Sequence, residues 1–121
     1  DNQESLQVME KLEAYIQQDK PFLNPELKLP LVAAQLNITA HVLSQAVNEN
    51  FNQNFQQYLN SHRIQSAQEM LASGKNSHLT ISSIAFDCGF NSLSAFNTAF
   101  KKVLEKTPSQ YRKEQNLQPN T

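Results

Sequence analysis

Residues 81–102 read ISSIAFDCGFNSLSAFNTAFKK. Two short runs with apolar residues at helical spacing flank Gly89-Phe90, and the second run ends in Lys101-Lys102. Gly89 is one of only two glycines in 121 residues. A residue without a Cβ enters the left-handed conformation at no steric cost, so Gly89 suits a tight turn between two helices. Thr80 is placed to cap the helix before the turn, which holds Ile81, Ile84, Ala85 and Cys88 inward. The helix after it, from about Ser92 to Leu104, is expected to bury Phe96, Ala99, Phe100 and Val103.

The same arrangement occurs earlier. Val32-Ala33 followed by Asn37-Ile38 matches Ile84-Ala85 followed by Gly89-Phe90 at an offset of 52. Beyond the turn, Thr39, Leu43 and Val47 match Ser92, Phe96 and Phe100 at an offset of 53. Asn tolerates the left-handed conformation that Gly89 takes freely, and Thr39 can cap the helix that follows. The small residue in each leading helix, Ala33 or Ala85, lets two helices cross closely. This is the helix-turn-helix plan, in which the second helix lies in the major groove of DNA. One copy alone reads equally as an αα-corner in a bundle; two copies in matching register favour the first reading.

The rest of the chain is also helical in pattern. Leu6, Met9, Leu12 and Ile16 form a stripe that ends before Pro21. PFLNPELKLP, residues 21–30, is a proline-rich loop, and Pro30 suits the first turn of a helix running to about Leu36 with Leu29, Val32, Ala33 and Leu36 inward. Val42, Leu43, Ala46 and Val47 form the inner stripe of the next helix. Asn54 can cap a longer one reaching about Ala72, with Phe55, Leu59, Ala67 and Leu71 inward. Pro108 opens a last helix to about Glu114, and the polar residues 115–121 read as a frayed, disordered tail. Sustained β alternation is absent. The expected fold is all-α: seven helices forming two helix-turn-helix subdomains, 5–52 and 78–114, joined by a linker helix at 54–72.

Bulk properties set outer limits. Hydrophobic residues make up 39% and charged residues 17% of the chain, enough to bury a core and unlike a disordered tail. No apolar run is long enough to span a bilayer, and no signal peptide opens the chain. It starts at Asp1 rather than Met, so the expectation is a piece of a longer protein. One cysteine, Cys88, rules out an internal disulfide and fits a reducing compartment. The net charge of −1 hides an asymmetry. Residues 1–60 hold three Lys and seven acidic residues, net −4, while residues 61–121 hold seven Lys and Arg and four acidic residues, net +3. A negatively charged partner would meet the C-terminal half first.

With both units located, the chain resembles the C-terminal DNA-binding domain of AraC-type bacterial transcription regulators, over residues 5–114. IAFDCGFNSLSAFNTAFKK followed by TPSQYR at 107–112 is similar to that family's signature. LPLVAAQLNITAHVLSQAV and NFQQYLNSHRIQSAQEML are similar to its first reading unit and linker helix. The resemblance implies two helix-turn-helix units joined by a rigid helix, with both reading helices presented to one face of the duplex in successive major-groove segments. It also implies a cytoplasmic location and a sensor domain in the parent chain, which could be membrane-anchored. Double-stranded DNA and the transcription machinery are the implied partners.

Helical geometry separates candidate readers from core. In the first reading helix Ala40, His41, Ser44, Gln45 and Asn48 lie outward; in the second, opened by Ser92, Leu93, Ser94, Asn97, Thr98 and Lys101 do. Gln and Asn can pair in two-pronged fashion with adenine, Ser and Thr suit several bases, and an apolar side chain suits the thymine methyl. Leu93 has that explanation or is a stray surface leucine. Phosphate contacts are expected from Lys101, from the N-terminal amides near Asn54 and Pro108, and from Lys102, which fits a solvated helix end equally well. Arg63 reads as a structural residue pairing with a carboxylate.

Several positions depart from the family pattern. Gln45 and Thr98 stand where Arg is frequent, which predicts weak binding by the isolated domain. Lys28 replaces a capping Ser or Thr. Asn52 and Glu105 replace glycines, and a left-handed Glu costs about 1 kcal/mol, so the turn before Thr107 is expected to be rebuilt. No enzyme, cofactor or metal site is expected: there is no glycine-rich phosphate loop, no Ser-His-Asp arrangement and no CxxC, and His41, His62 and His78 lack ligand spacing. Cys88 reads as core. With no coiled-coil seam, the isolated domain is expected to be monomeric. The competing expectation is a helix-turn-helix scaffold with weak or lost DNA binding, acting mainly as a protein-interaction module.

Overall fold

The structure, a computed structural model, describes residues 2–117. In chain order its elements are α1 (Asn2–Asp19), a 3-10 turn (Pro21–Leu23), α2 (Leu29–Gln35), α3 (Ala40–Phe51), α4 (Phe55–Ala72), a second 3-10 turn (Gly74–Asn76), α5 (Ile81–Asp87), α6 (Leu93–Leu104) and α7 (Pro108–Leu117). Seven α-helices with no strand among the described residues is the all-α arrangement expected. The chain divides into two compact units, Asp1–Asn60 and Ser61–Thr121, and the division falls inside α4. That helix carries two separate apolar stripes. Phe55, Tyr58 and Leu59 belong to the first core, while Ile64, Ala67 and Leu71 belong to the second.

In each unit the backbone turn is wired identically. After α2, Ile38 N donates to Ala33 O at 3.0 Å and Asn37 N to Ala34 O at 3.1 Å. After α5, Phe90 N donates to Ala85 O at 3.1 Å and Gly89 N to Phe86 O at 3.1 Å. This is the Schellman pattern, which requires a positive φ at its end; Asn37 has φ 59° and Gly89 φ 100°. Ala33 is 2% exposed and Ala85 fully buried, where a larger side chain would hold the crossing helices apart.

The repeat runs further than sequence matching suggested. Both α3 and α6 end on a left-handed residue: Asn52 N donates to Asn48 O at 2.9 Å, and Glu105 N to Lys101 O at 2.8 Å. Both next helices open with a reciprocal capping box. Asn54 Oδ1 accepts from Gln57 N at 2.8 Å while Gln57 Oε1 accepts from Asn54 N at 2.9 Å. Thr107 Oγ1 accepts from Gln110 N at 3.1 Å while Gln110 Oε1 accepts from Thr107 N at 2.8 Å. One turn later Tyr58 and Tyr111 each pack on their unit's core.

Four expectations need correction. Leu6 is 57% exposed; the buried stripe of α1 is Ser5, Val8, Met9, Leu12 and Ile16, and Asn50 Nδ2 donates to Ser5 Oγ at 2.8 Å, which fixes Ser5 rather than Leu6 towards α3. Val103 is 50% exposed, because the last turn of α6 passes the edge of the core and partly buried Leu104 packs there instead. The turn before Thr107 is not rebuilt: Glu105 accepts the strain at φ 59°. The last helix continues to Leu117, so 115–117 are helical rather than frayed, and the remainder of the expected tail, 118–121, lies outside the described residues. Arg63 is a buried structural residue, at 3% exposure, and its guanidinium lies over the Phe90 ring, 6.0 Å from the centroid. Burial lowers its pKa.

Candidate nucleic-acid interface

The reading helices start sharply because each has a side-chain cap. Thr39 Oγ1 accepts from Val42 N at 3.1 Å, and Ser92 Oγ accepts from Ala95 N at 3.1 Å. Replacing such a cap costs about 1 kcal/mol, so these hydroxyls hold the first turn of each helix in place. On α3, Leu43, Ala46 and Val47 are buried, and His41, Gln45 and Asn48 are exposed on the opposite side. Ser44 is half-buried at the flank. Ala40 is also half-buried and packs against the first core at the start of the helix.

On α6, Phe96 and Phe100 are fully buried, with rings in a tilted contact at a centroid distance of 5.5 Å. Ser94, Asn97, Thr98, Lys101 and Lys102 are exposed, and Leu93 is 39% exposed. The expected outward set of α6 is therefore on one solvent-facing strip, with Lys101 and Lys102 in its last turn. Ser92 is half-buried and committed to its cap. Asn54 is likewise committed through its carbonyl oxygen. The capping boxes also occupy the amides of Gln57 and Gln110, and Pro108 brings no N–H. The starts of α4 and α7 thus offer a phosphate fewer donors than the sequence suggested.

The offset of 53 aligns the two reading helices slot by slot: His41 with Ser94, Gln45 with Thr98, and Asn48 with Lys101. The next slot holds residues of opposite charge, Glu49 and Lys102. Glu49 was missing from the expected site. It is exposed, and its Oε1 accepts from Gln45 Nε2 at 3.0 Å. The signal was legible, since residues four apart on a helix are neighbours.

Among the described residues no group of three His, Cys, Asp or Glu side chains could hold a metal ion. The cleft beside Gln45, between α1 and α3, encloses about 60 Å³ and is too small for an organic ligand. Cys88 is buried with its Sγ 3.6 Å from both Ser66 Oγ and Met70 Sδ, and burial pushes its thiol pKa up, so it is a core residue. Among the described residues, no helix is long and apolar enough to cross a membrane.

A family model described as a helix-turn-helix domain matches residues 32–114, spanning both turns and both reading helices. The chain belongs to the AraC-type helix-turn-helix family. That family consists of DNA-binding domains of transcription regulators, not enzymes. This AraC-type domain is 30% identical over 105 residues to the Msm operon regulatory protein of Streptococcus mutans, an alignment covering 84% of the chain and 37% of that protein. It is 40% identical over 57 residues to the HTH-type transcriptional regulator AlkR of Acinetobacter baylyi, covering 47% of the chain and 18% of that protein. The chain thus spans well under half the length of these regulators. Its fold is similar to that of the C-terminal domain of AraT, a response regulator from Geobacillus stearothermophilus, with a TM-score of 0.78 at 31% identity over 94% of this chain and 90% of that one. In this AraC-type domain the outward strips of α3 and α6 occupy the second helix of each helix-turn-helix unit.

Proposed function

We propose that this domain binds double-stranded DNA sequence-specifically by inserting α3 and α6 into successive major-groove segments. One observation carries the reading. Two identically wired turns each present a capped helix whose inner side is buried and whose outer side is polar and exposed. Gln45, Asn48, Ser94, Asn97 and Thr98 offer donors and acceptors to base edges, with His41 and Ser44 beside them, and Leu93 offers an apolar surface to a thymine methyl. Lys101 and Lys102 approach the phosphates, with the ends of α4 and α7 near Asn54 and Pro108 as secondary contacts. Within a longer regulator the domain acts behind a sensor or receiver domain in the cytoplasm and meets the transcription machinery at a promoter; the isolated domain is a monomer. The response-regulator origin of the similar AraT domain supports that arrangement.

Binding to genomic DNA at low and moderate salt tests this. Affinity is expected to fall with salt, with the log–log slope shrinking by about 1 on Lys101→Ala. Asn97→Ala is expected to lose about 1–3 kcal/mol at particular bases only. Negligible binding at both salts would remove the DNA reading and leave a protein-interaction scaffold.

A further inference from the structure

Gln45 stands at the centre of the exposed strip of α3, and its amide is not free to turn. Its Nε2 donates to Glu49 Oε1 at 3.0 Å, from one helical turn away. In the second unit the matching slots hold Thr98 and Lys102, so this pairing exists in the first unit only. We propose that Glu49 is a specificity-determining positioning residue, which fixes the Gln45 amide so that it reads adenine and rejects guanine. The inference rests on Gln45 facing the base edges.

The argument is an inventory of hydrogens. An ionised carboxylate only accepts, so Glu49 can hold the NH₂ of Gln45 and never its carbonyl. The NH₂ has two hydrogens, and Glu49 takes one. What remains for a base is one N–H and one carbonyl oxygen, side by side. In the major groove adenine presents the complement, an N7 acceptor beside an N6–H donor. Guanine presents two acceptors, N7 and O6. To satisfy both, Gln45 would need both its hydrogens, or it would set its carbonyl oxygen against O6. Glu49 forbids the first arrangement and orients the side chain into the second.

Glu49 also places a negative charge beside the phosphates. That weakens binding to every sequence alike, whereas the amide constraint acts at a single base pair. The two effects therefore separate in one experiment. The chain is used with a DNA site selected from a random pool, and Kd is measured for that site and for its single-base variants. Gln45→Ala first identifies the pair that Gln45 contacts, as the position where discrimination collapses. At that pair the unsubstituted protein is expected to prefer adenine over guanine by about 10-fold or more. Glu49→Ala is expected to tighten binding to all sites and to cut that preference to about 3-fold. Glu49→Gln removes the charge and can offer Gln45 either a carbonyl or an NH₂, so it is expected to tighten binding as Glu49→Ala does while keeping only part of the preference. Both side chains are exposed, and thermal melts will verify that the variants fold.

A preference unchanged in Glu49→Ala, with affinity raised everywhere, would overturn the proposal and leave Glu49 as electrostatic repulsion alone. If Gln45→Ala discriminates as the unsubstituted protein does, Gln45 is no base contact, and the proposal falls with that reading of α3. Asn97→Ala on the same panel reports the second unit separately, so DNA reading by α6 stands or falls on its own result.

Discussion

Glu105 shows how a single residue can keep a turn against its own preference. The C-terminal end of α6 needs a left-handed residue to satisfy Lys101 O, and Glu105 supplies it at φ 59° with a 2.8 Å bond. The left-handed cost for a side chain with a Cβ is about 1–2 kcal/mol. The surrounding contacts, with Leu104 packed on the core and Thr107 boxed to Gln110, dictate the turn whatever residue stands there. Glu105→Gly is therefore expected to stabilise the second unit by about 1 kcal/mol, read as a rise in Tm of a few degrees. Asn52, at φ 53° in the matching slot, already tolerates the conformation, so Asn52→Gly is expected to give a smaller gain. Equal gains at the two positions would show that the side-chain strain argument is wrong.

Among the elements, α4 has the most to do, because it supplies both cores. Arg63 sits where its first stripe gives way to its second, buried over Phe90, whose ring also meets Phe96 edge-on at 5.2 Å. Removing the side chain exposes that aromatic cluster. Arg63→Ala is expected to destabilise the second unit by about 2–3 kcal/mol, measured by urea unfolding. Arg63→Lys is expected to recover only part of the loss, since an ammonium lacks the flat face that stacks on a ring. Full recovery by Lys would mean that charge alone matters at this site.

The elements also show what the sequence could and could not disclose. The positions of the helices were legible, because caps such as Thr39, Thr80 and Ser92 and the turn residues Asn37 and Gly89 are local signals. The capping boxes at Asn54 and Thr107 were equally local, an acceptor followed three residues later by Gln, and would have extended the repeat had they been matched. Leu6 and Val103 were misread for another reason. Periodicity locates a stripe but not where the core stops, and both residues lie beside a buried position near the end of their helix. Of the candidate site, the outward polar strips were legible from spacing alone. The Gln45–Glu49 bond follows from the same i, i+4 spacing, but it concerns what holds a side chain rather than what that side chain could touch.

At the scale of the whole molecule, charge is the governing quantity. The net charge of −1 is low for a DNA-binding chain, and its two halves differ, at −4 and +3. Among the cations of the second half, Arg63 is buried and Lys106 is paired with Glu114 at 2.6 Å. Lys101 and Lys102 are the lysines on the reading helix itself. Positive charge is thus placed on α6, while α3 brings Glu49. Gln45→Arg and Thr98→Arg together are expected to raise affinity at low salt by at least an order of magnitude and to steepen the salt slope by about 2. A double variant whose slope does not change would place these two side chains away from the phosphates.

Both reading helices are twelve residues long, open on a hydroxyl cap and close on a left-handed residue. They are interchangeable cassettes in backbone terms. The core-facing residues answer to the scaffold, and the outward ones answer only to what they meet. On the proposed reading, grafting the outer face of one helix onto the frame of its counterpart would therefore move a base preference from one unit to the other with little folding penalty.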